Sequence, residues 1–279
     1  GDNSASATKP LTVTTGSGNV TFTGVVGGGT NGALGALTVN TTGTTTFSAA
    51  VTAASVTTNA GGTTAINGGT ITTTGAQTYN DAVTLGAATT LTSSGSGNIN
   101  LASTVNGAQA LTINTAGTTT FGGIVGGTTA LTSITTDAAG SVAINGGAIT
   151  TTGAQTYNDA VTLGAATTLS AASITTGSTF NASSYAATFT TDAIALGGNL
   201  SGSGALTIQP KTNSTTIAIG SAATGDLKLD DTELGYLVDG FSSITIGSAT
   251  GTGAIAVAYT TPYTFTDPLT IRSNTSGGG

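Results

Sequence analysis

Residues 66–91 read INGGTITTTGAQTYNDAVTLGAATTL, and residues 144–169 read INGGAITTTGAQTYNDAVTLGAATTL. The two stretches differ at one position, Thr70 against Ala148, and their numbering is offset by 78. Working outward, ALTVNTTGTTTF at 36–47 matches ALTINTAGTTTF at 110–121 with an offset of 74. The change from 74 to 78 implies a four-residue insertion near Gly126–Thr129. A third copy begins with SAASITT at 170–176, similar to TAASVTT at 52–58, and then diverges. Self-similarity at a fixed period marks a repeat architecture, in which each unit buries its apolar face only against its neighbours.

The pieces inside each unit are strand-sized. Val83-Thr84-Leu85, Ile99-Asn100-Leu101, Leu111-Thr112-Ile113 and Ile244-Thr245-Ile246 alternate apolar with small polar residues. That is the period of a strand with one buried face. Thr, Val and Ile suit it because their branched Cβ fits the pleat. Asn67-Gly68-Gly69, Asn106-Gly107 and Asn145-Gly146-Gly147 separate such runs and supply the positive-φ corners of tight turns. No stretch keeps helical spacing over ten or more residues.

Strands of three to five residues between frequent corners predict an all-β fold, a parallel β-solenoid (β-helix) rod built from imperfect repeats. Its narrow interior is expected to hold Val, Ile, Leu, Ala and an occasional Phe, with Val83, Leu85, Val161 and Leu163 inward and Thr84 and Thr162 outward. At roughly 20 residues per coil, 279 residues amount to about 14 coils and a rod on the order of 65 Å at the strand spacing. The long unit then corresponds to about four coils. Residues 1–200 form the regular part, with copies near 36–91 and 110–169. Residues 201–279 form a less regular continuation with a short helical turn near 231–237. An outer-membrane barrel needs longer strands and aromatic girdles. A β-sandwich has fewer, longer strands and no long near-identical copies.

Composition removes many chemistries. The chain has no Cys, His, Met or Trp, 44 Gly and 66 Thr. Without Cys there is no disulfide framework and no thiolate site; without His there is no Ser-His-Asp triad. Four basic against eleven acidic residues, net charge −7, give no footprint for nucleic acid. No run reaches the ~20 apolar residues of a spanning helix. The start at Gly1 shows no signal-peptide pattern, so the chain is expected to be a mature or excised segment of something longer. No cofactor motif is present, because Gly202-Ser203-Gly204 and Gly251-Thr252-Gly253 lack the helix a phosphate loop needs.

Three features are candidate sites. Asp226, Asp230, Asp231, Glu233 and Asp239 are five of the eleven acids within fourteen residues, with Lys228 among them. They form a weak Ca²⁺ candidate through carboxylate oxygens or the two carboxylates of a glycosidase. The plainer reading is a solvated helix start favoured by the helix dipole. Asn80-Asp81 and Asn158-Asp159 follow Tyr79 and Tyr157 in both copies; the expected arrangement is a corner of Asx hydrogen bonds, with a stacked Asn ladder and the Tyr hydroxyl at the surface. Rows of Thr, as at Thr72-Thr73-Thr74 and Thr150-Thr151-Thr152, are candidates for ordering water as ice does, but they recur irregularly along the sequence.

The unit Gly69–Leu91 and Gly147–Leu169 resembles the repeat of very large bacterial surface proteins, the filamentous-haemagglutinin-like adhesins or β-strand-repeat proteins. ALTINTAGTTTFGGIVGG (110–127) resembles the piece that follows in those arrays. Thr216-Ile217-Ala218-Ile219-Gly220, Glu233-Leu234, Gly240–Gly247 and Asp267-Pro268-Leu269-Thr270-Ile271 are similar to their less regular section. The resemblance covers nearly the whole chain. It implies a right-handed β-helix, secreted to the cell surface or extracellular matrix, with a structural or adhesive role and no enzymatic activity. Expected partners are further copies in filaments or the rest of a longer chain, and glycans or host surfaces. The two other readings are an ice-binding solenoid with Thr-rich faces and a polysaccharide-binding or -cleaving solenoid.

Overall fold

The computed structural model describes residues 8–28 and 32–274. End-to-end contacts between copies are expected at Gly1–Thr8 and the C-terminal Ser/Gly tail, of which residues 1–7 and 275–279 lie outside the described residues. The chain is an all-β solenoid of parallel strands making about nine turns. Each turn contributes a strand to three stacked columns. On the first face Leu11, Leu37, Val56, Gln77, Ile99, Thr119, Val142, Val161, Phe180 and Leu200 stand one above the next. On the second, Val20, Thr45, Thr64, Val83, Val105, Val125, Ile149, Leu169, Phe189, Ile208, Ile246 and Ile271 do so. The third runs through Val26, Val51, Ile71, Leu91, Ile113, Thr136, Tyr157, Thr176 and Leu196. All of these pairings are parallel, so each turn's backbone groups are satisfied by the turns above and below.

The turn count is lower than the sequence arithmetic gave, about nine against about 14. Between Leu37 and Leu200 the paired positions of the first face step by 19 to 23 in the numbering from one turn to the next. After Leu200 the next partner on that face is Leu237, and Leu206 pairs with Ile244, so this step is nearly twice as long. The residues between add a second parallel sheet, in which Ile217–Ile219 is flanked by Leu227–Leu229 and, from further along the chain, Ile255–Val257, and a five-residue helix, Asp231–Gly235. Leu227–Leu229 packs against Ala187–Leu196, and its leucines join the common core. At ~4.8 Å per turn, nine full turns rise roughly 43 Å and the longer second column about 53 Å, both short of about 65 Å.

The near-identical copies do not sit on the same faces. In the first copy Ile66, Ile71 and Tyr79 lie on the second, third and first faces. In the second, Ile144, Ile149 and Tyr157 lie on the first, second and third. From Tyr79 the first face climbs through Leu101 and Phe121 to Ile144, and the chain then crosses two more faces to Tyr157. The long unit is therefore three and two-thirds turns, not four, and the second copy is rotated by two faces. Local surroundings survive the rotation, since Ile66 pairs with Leu85 as Ile144 pairs with Leu163. The four extra residues fall at the corner between the bridges of Val125 and Leu131, where Gly126 takes φ 72°.

Alternation holds where it is expected. Val83, Leu85, Val161 and Leu163 are buried, and Thr84 and Thr162 are exposed. Two expectations are corrected. Four strands reach seven residues or more because they bend through a corner without breaking: Leu34–Asn40, Val51–Thr58, Thr167–Thr176 and Ala187–Leu196. The two corners at Ala53-Ala54-Ser55 and Ala171-Ala172-Ser173 carry only small side chains, which leave room for the bend. The interior also holds polar side chains besides the aliphatic ones, among them Thr45, Thr58, Thr64, Thr119, Gln77 and Gln155. Thr has nearly the shape of Val, so it enters a narrow core wherever its hydroxyl finds a carbonyl or its cost is tolerated.

Candidate functional site

The acidic cluster is spread over several structural jobs. Asp230 caps the short helix: its Oδ1 accepts from the amides of Thr232 (2.8 Å) and Glu233 (2.9 Å), and Glu233 Oε2 accepts from the Asp230 amide (3.0 Å). This reciprocal capping box satisfies amides that the first helical turn leaves free. Glu233 Oε1 accepts from the Leu196 amide at 2.9 Å and so ties the helix to the end of the third face. That carboxylate is half-buried, and burial, the largest influence, pushes its pKa up. Asp231 accepts from the Ser221 amide (2.7 Å), the Thr260 amide and hydroxyl, and the Thr261 amide (2.8 Å). Those donors, the Thr260 hydroxyl foremost, hold it well below the usual carboxylate range. Asp226 accepts from the Thr216 hydroxyl at 2.9 Å, and Asp239 is exposed. Among the described residues no three acidic side chains gather as a metal-ligand group.

The Tyr-Asn-Asp corners also differ from expectation. Tyr79 and Tyr157 are fully buried. The Tyr79 hydroxyl donates to Gln77 Oε1 at 2.9 Å, and the Gln77 amide donates to the carbonyls of Ile71 (3.2 Å) and Thr92 (2.9 Å). The second copy repeats this, with Tyr157 on Gln155 and Gln155 on the Ile149 and Ser170 carbonyls. Burial drives both phenols far above their ordinary pKa. The alternation held the clue, since Gln77 and Tyr79 share the parity of Val83 and Leu85. Asn80 and Asn158 donate to the Thr58 and Thr136 carbonyls of the turn below. Asn40, Asn59 and Asn80 occupy successive turns at one corner, next to the paired residues Val39, Thr58 and Tyr79. Each bonds backbone or a hydroxyl rather than its neighbour's amide.

The corner acids are buried. Asp81 Oδ1 accepts from the Gly62 amide at 2.8 Å, and its Oδ2 lies 3.4 Å from the Thr64 hydroxyl. In the second copy Asp159 Oδ1 accepts from Gly140 at 2.7 Å. Val142 occupies the place of Thr64 there, so Asp159 Oδ2 is buried without a partner, while the equivalent hydroxyls of Thr58 and Thr136 lack one in both copies. Burial is the main cause that pushes the Asp159 pKa up, and the nearby Asp137 carboxylate adds to it.

The outward threonines are in register, although their sequence spacing is irregular. On the third face Thr70, Thr90, Thr112, Thr135, Thr156 and Thr175 stack in six consecutive turns. The first face stacks Thr12, Thr38, Thr57 and Thr78. The second stacks Thr168, Thr188, Thr207, Thr245 and Thr270. A variable number of residues per turn hides these rows from a fixed-period reading. No family model, curated protein or solved structure matches the chain.

Proposed function

We propose that this chain is a load-bearing segment of a secreted bacterial surface or matrix fibre, acting as a stiff rod that is structural or adhesive. The observation that carries this reading is the uninterrupted three-column ladder, in which stretching must break parallel rows of backbone hydrogen bonds. The likeness of the repeat unit to filamentous-haemagglutinin-like adhesins supports the cellular setting. The acids do not favour catalysis, because the carboxylates at the helix serve as caps and loop ties. Antibodies against the folded chain test the setting. They are expected to label intact cells that produce it and the surrounding matrix. Labelling that requires cell lysis overturns the surface reading.

A second reading, ice binding, is favoured by one observation, the six-turn Thr row on the third face. A second row flanks it through Thr52, Thr72 and Thr92 before Asn114 takes over. Thermal hysteresis of the purified chain tests it directly, and an unchanged freezing point rejects it.

A further inference from the structure

The regular turns are almost without charge. Between Pro10 and Thr191 the only charged residue types are Asp81, Asp137 and Asp159. Asp81 and Asp159 are each 2% exposed, and Asp137 accepts from the Thr115 amide at 2.9 Å. The three outer faces therefore present hydroxyls, methyls and amides, with one partly exposed carboxylate and, at the corner of Thr151, the Lys211 ammonium, which donates to the Thr151 carbonyl at 2.9 Å. Little on them supplies the electrostatic repulsion that keeps protein surfaces apart.

We propose that these rods associate side by side through their uncharged threonine faces, the partner being a second copy of the same chain. This goes beyond the fibre reading and rests on the fold alone. A second copy is the fitting occupant for three reasons. Its faces repeat at the same ~4.8 Å turn spacing, so rows of hydroxyl and methyl groups stay in step along the whole contact, whereas a surface of another period drifts out of step. Bringing two such faces together removes no charge from water, and so avoids the largest desolvation penalty. The area is adequate for association without being obligate. Over the eight steps from Leu11 to Phe180, a face roughly 38 Å long and about 13 Å wide at ~3.3 Å per residue buries about 500 Å² per partner, or ~1,000 Å² in total. That lies just below the standard range of specific interfaces, so one contact is weak. All three faces carry a row, so one rod takes several neighbours and the contacts add up with rod length.

The test is sedimentation of the full chain over a concentration series, in low salt and in about 1 M salt, where charge effects are screened within ~3 Å. The expected result is concentration-dependent association that persists in high salt, with electron micrographs showing rods touching along their lengths. Thr57→Lys, Thr112→Lys and Thr188→Lys together place a charge on each face, and are expected to weaken association at least tenfold while circular dichroism stays β-type. If that variant fails to fold, Thr135→Cys in this cysteine-free chain serves instead: in dilute solution, oxidation is expected to cross-link it much faster than a cysteine at an exposed corner, Ser94→Cys, and equal rates overturn the proposal. A chain that stays monomeric throughout overturns the proposal. So does association that high salt abolishes, images with end-to-end contacts alone, or a monomer that instead arrests ice growth. A monomeric rod on the surface of producing cells still leaves the fibre reading standing.

Discussion

Thr73 and Thr119 are both buried on inward strand positions, yet their hydroxyls end differently. Thr73 Oγ1 donates to the Gly75 carbonyl at 2.6 Å and receives the Gln77 amide at 3.2 Å. Thr119 Oγ1 is buried with no partner, between Ile99 below and Val142 above. An unpaired buried hydroxyl costs about 1–3 kcal/mol, whereas a paired one contributes about 1 kcal/mol. Thr119→Val is therefore expected to stabilise the rod by roughly 1 kcal/mol and Thr73→Val to destabilise it by a similar amount. Chemical denaturation of the two variants checks the opposite signs. Asp159 supplies a pH-dependent case. Its folded pKa is raised, so the native state holds the proton more firmly than the unfolded chain does. Its contribution to stability then falls as pH rises from the ordinary value of 3.8 through the raised one, and is flat above. Asp159→Asn removes that fall and lets an amide donate toward the Thr136 hydroxyl. Its melting temperature relative to the parent is expected to climb across that pH window. Asp231, held low, acts in the opposite direction in both proteins and cancels in the difference. Parity along a strand showed which residues face inward. Position in the strand decides the rest: Thr73 ends its strand and reaches the Gly75 carbonyl across the corner, whereas Thr119 lies inside its strand and has no carbonyl within reach.

At the scale of the strand, the Gln77–Tyr79 pair shows how a polar sequence fills a core. Two residues apart on one inward face, they bond each other, and the Gln amide closes onto carbonyls of two neighbouring strands. Tyr79→Phe strands Gln77 Oε1 in the interior and is expected to cost about 1–3 kcal/mol. Combining it with Gln77→Met is expected to give a total that differs from the sum of the single effects by more than about 0.5 kcal/mol, as for residues of one network. Additive effects would contradict the bond. Strand parity placed both side chains inside, but the Asn-Asp dipeptide that follows is a turn signal, and it drew the Tyr to the surface in the sequence reading. The phenol is placed inside because its hydroxyl donates to Gln77 Oε1 there. The short helix was more legible, because Asp230 and Glu233 stand at capping-box spacing. The link from Glu233 to the Leu196 amide joins positions far apart in the chain, and no local motif announces it.

At the scale of the molecule, repetition made the solenoid legible, while the number and phase of its turns depended on where a turn takes in an inserted sheet and on how many residues each turn takes. The rotation of the second copy follows from the long unit being a whole number of strand-and-corner thirds without being a whole number of turns. Such a module keeps its neighbours at every third, so nearly the same sequence folds on any face. Distance measurements separate this arrangement from a four-turn unit. Thr78 and Thr162 lie on one face, four rungs apart through Asn100, Thr120 and Ala143. Thr84 and Thr162 are equivalent positions of the two copies, yet they stand on different faces. With no native cysteine to interfere, spin labels on Thr78→Cys with Thr162→Cys are expected to report a separation near the axial rise of ~19 Å. Labels on Thr84→Cys with Thr162→Cys have a smaller rise, three and two-thirds turns, but must also span the rod's width. Their distance is therefore expected to be the longer of the two, although fewer residues and a shorter climb separate them. If the copies stacked face on face after four turns, the second pair would instead show that purely axial separation and the first would be displaced around the rod. The order of the two distances decides the phase of the repeat.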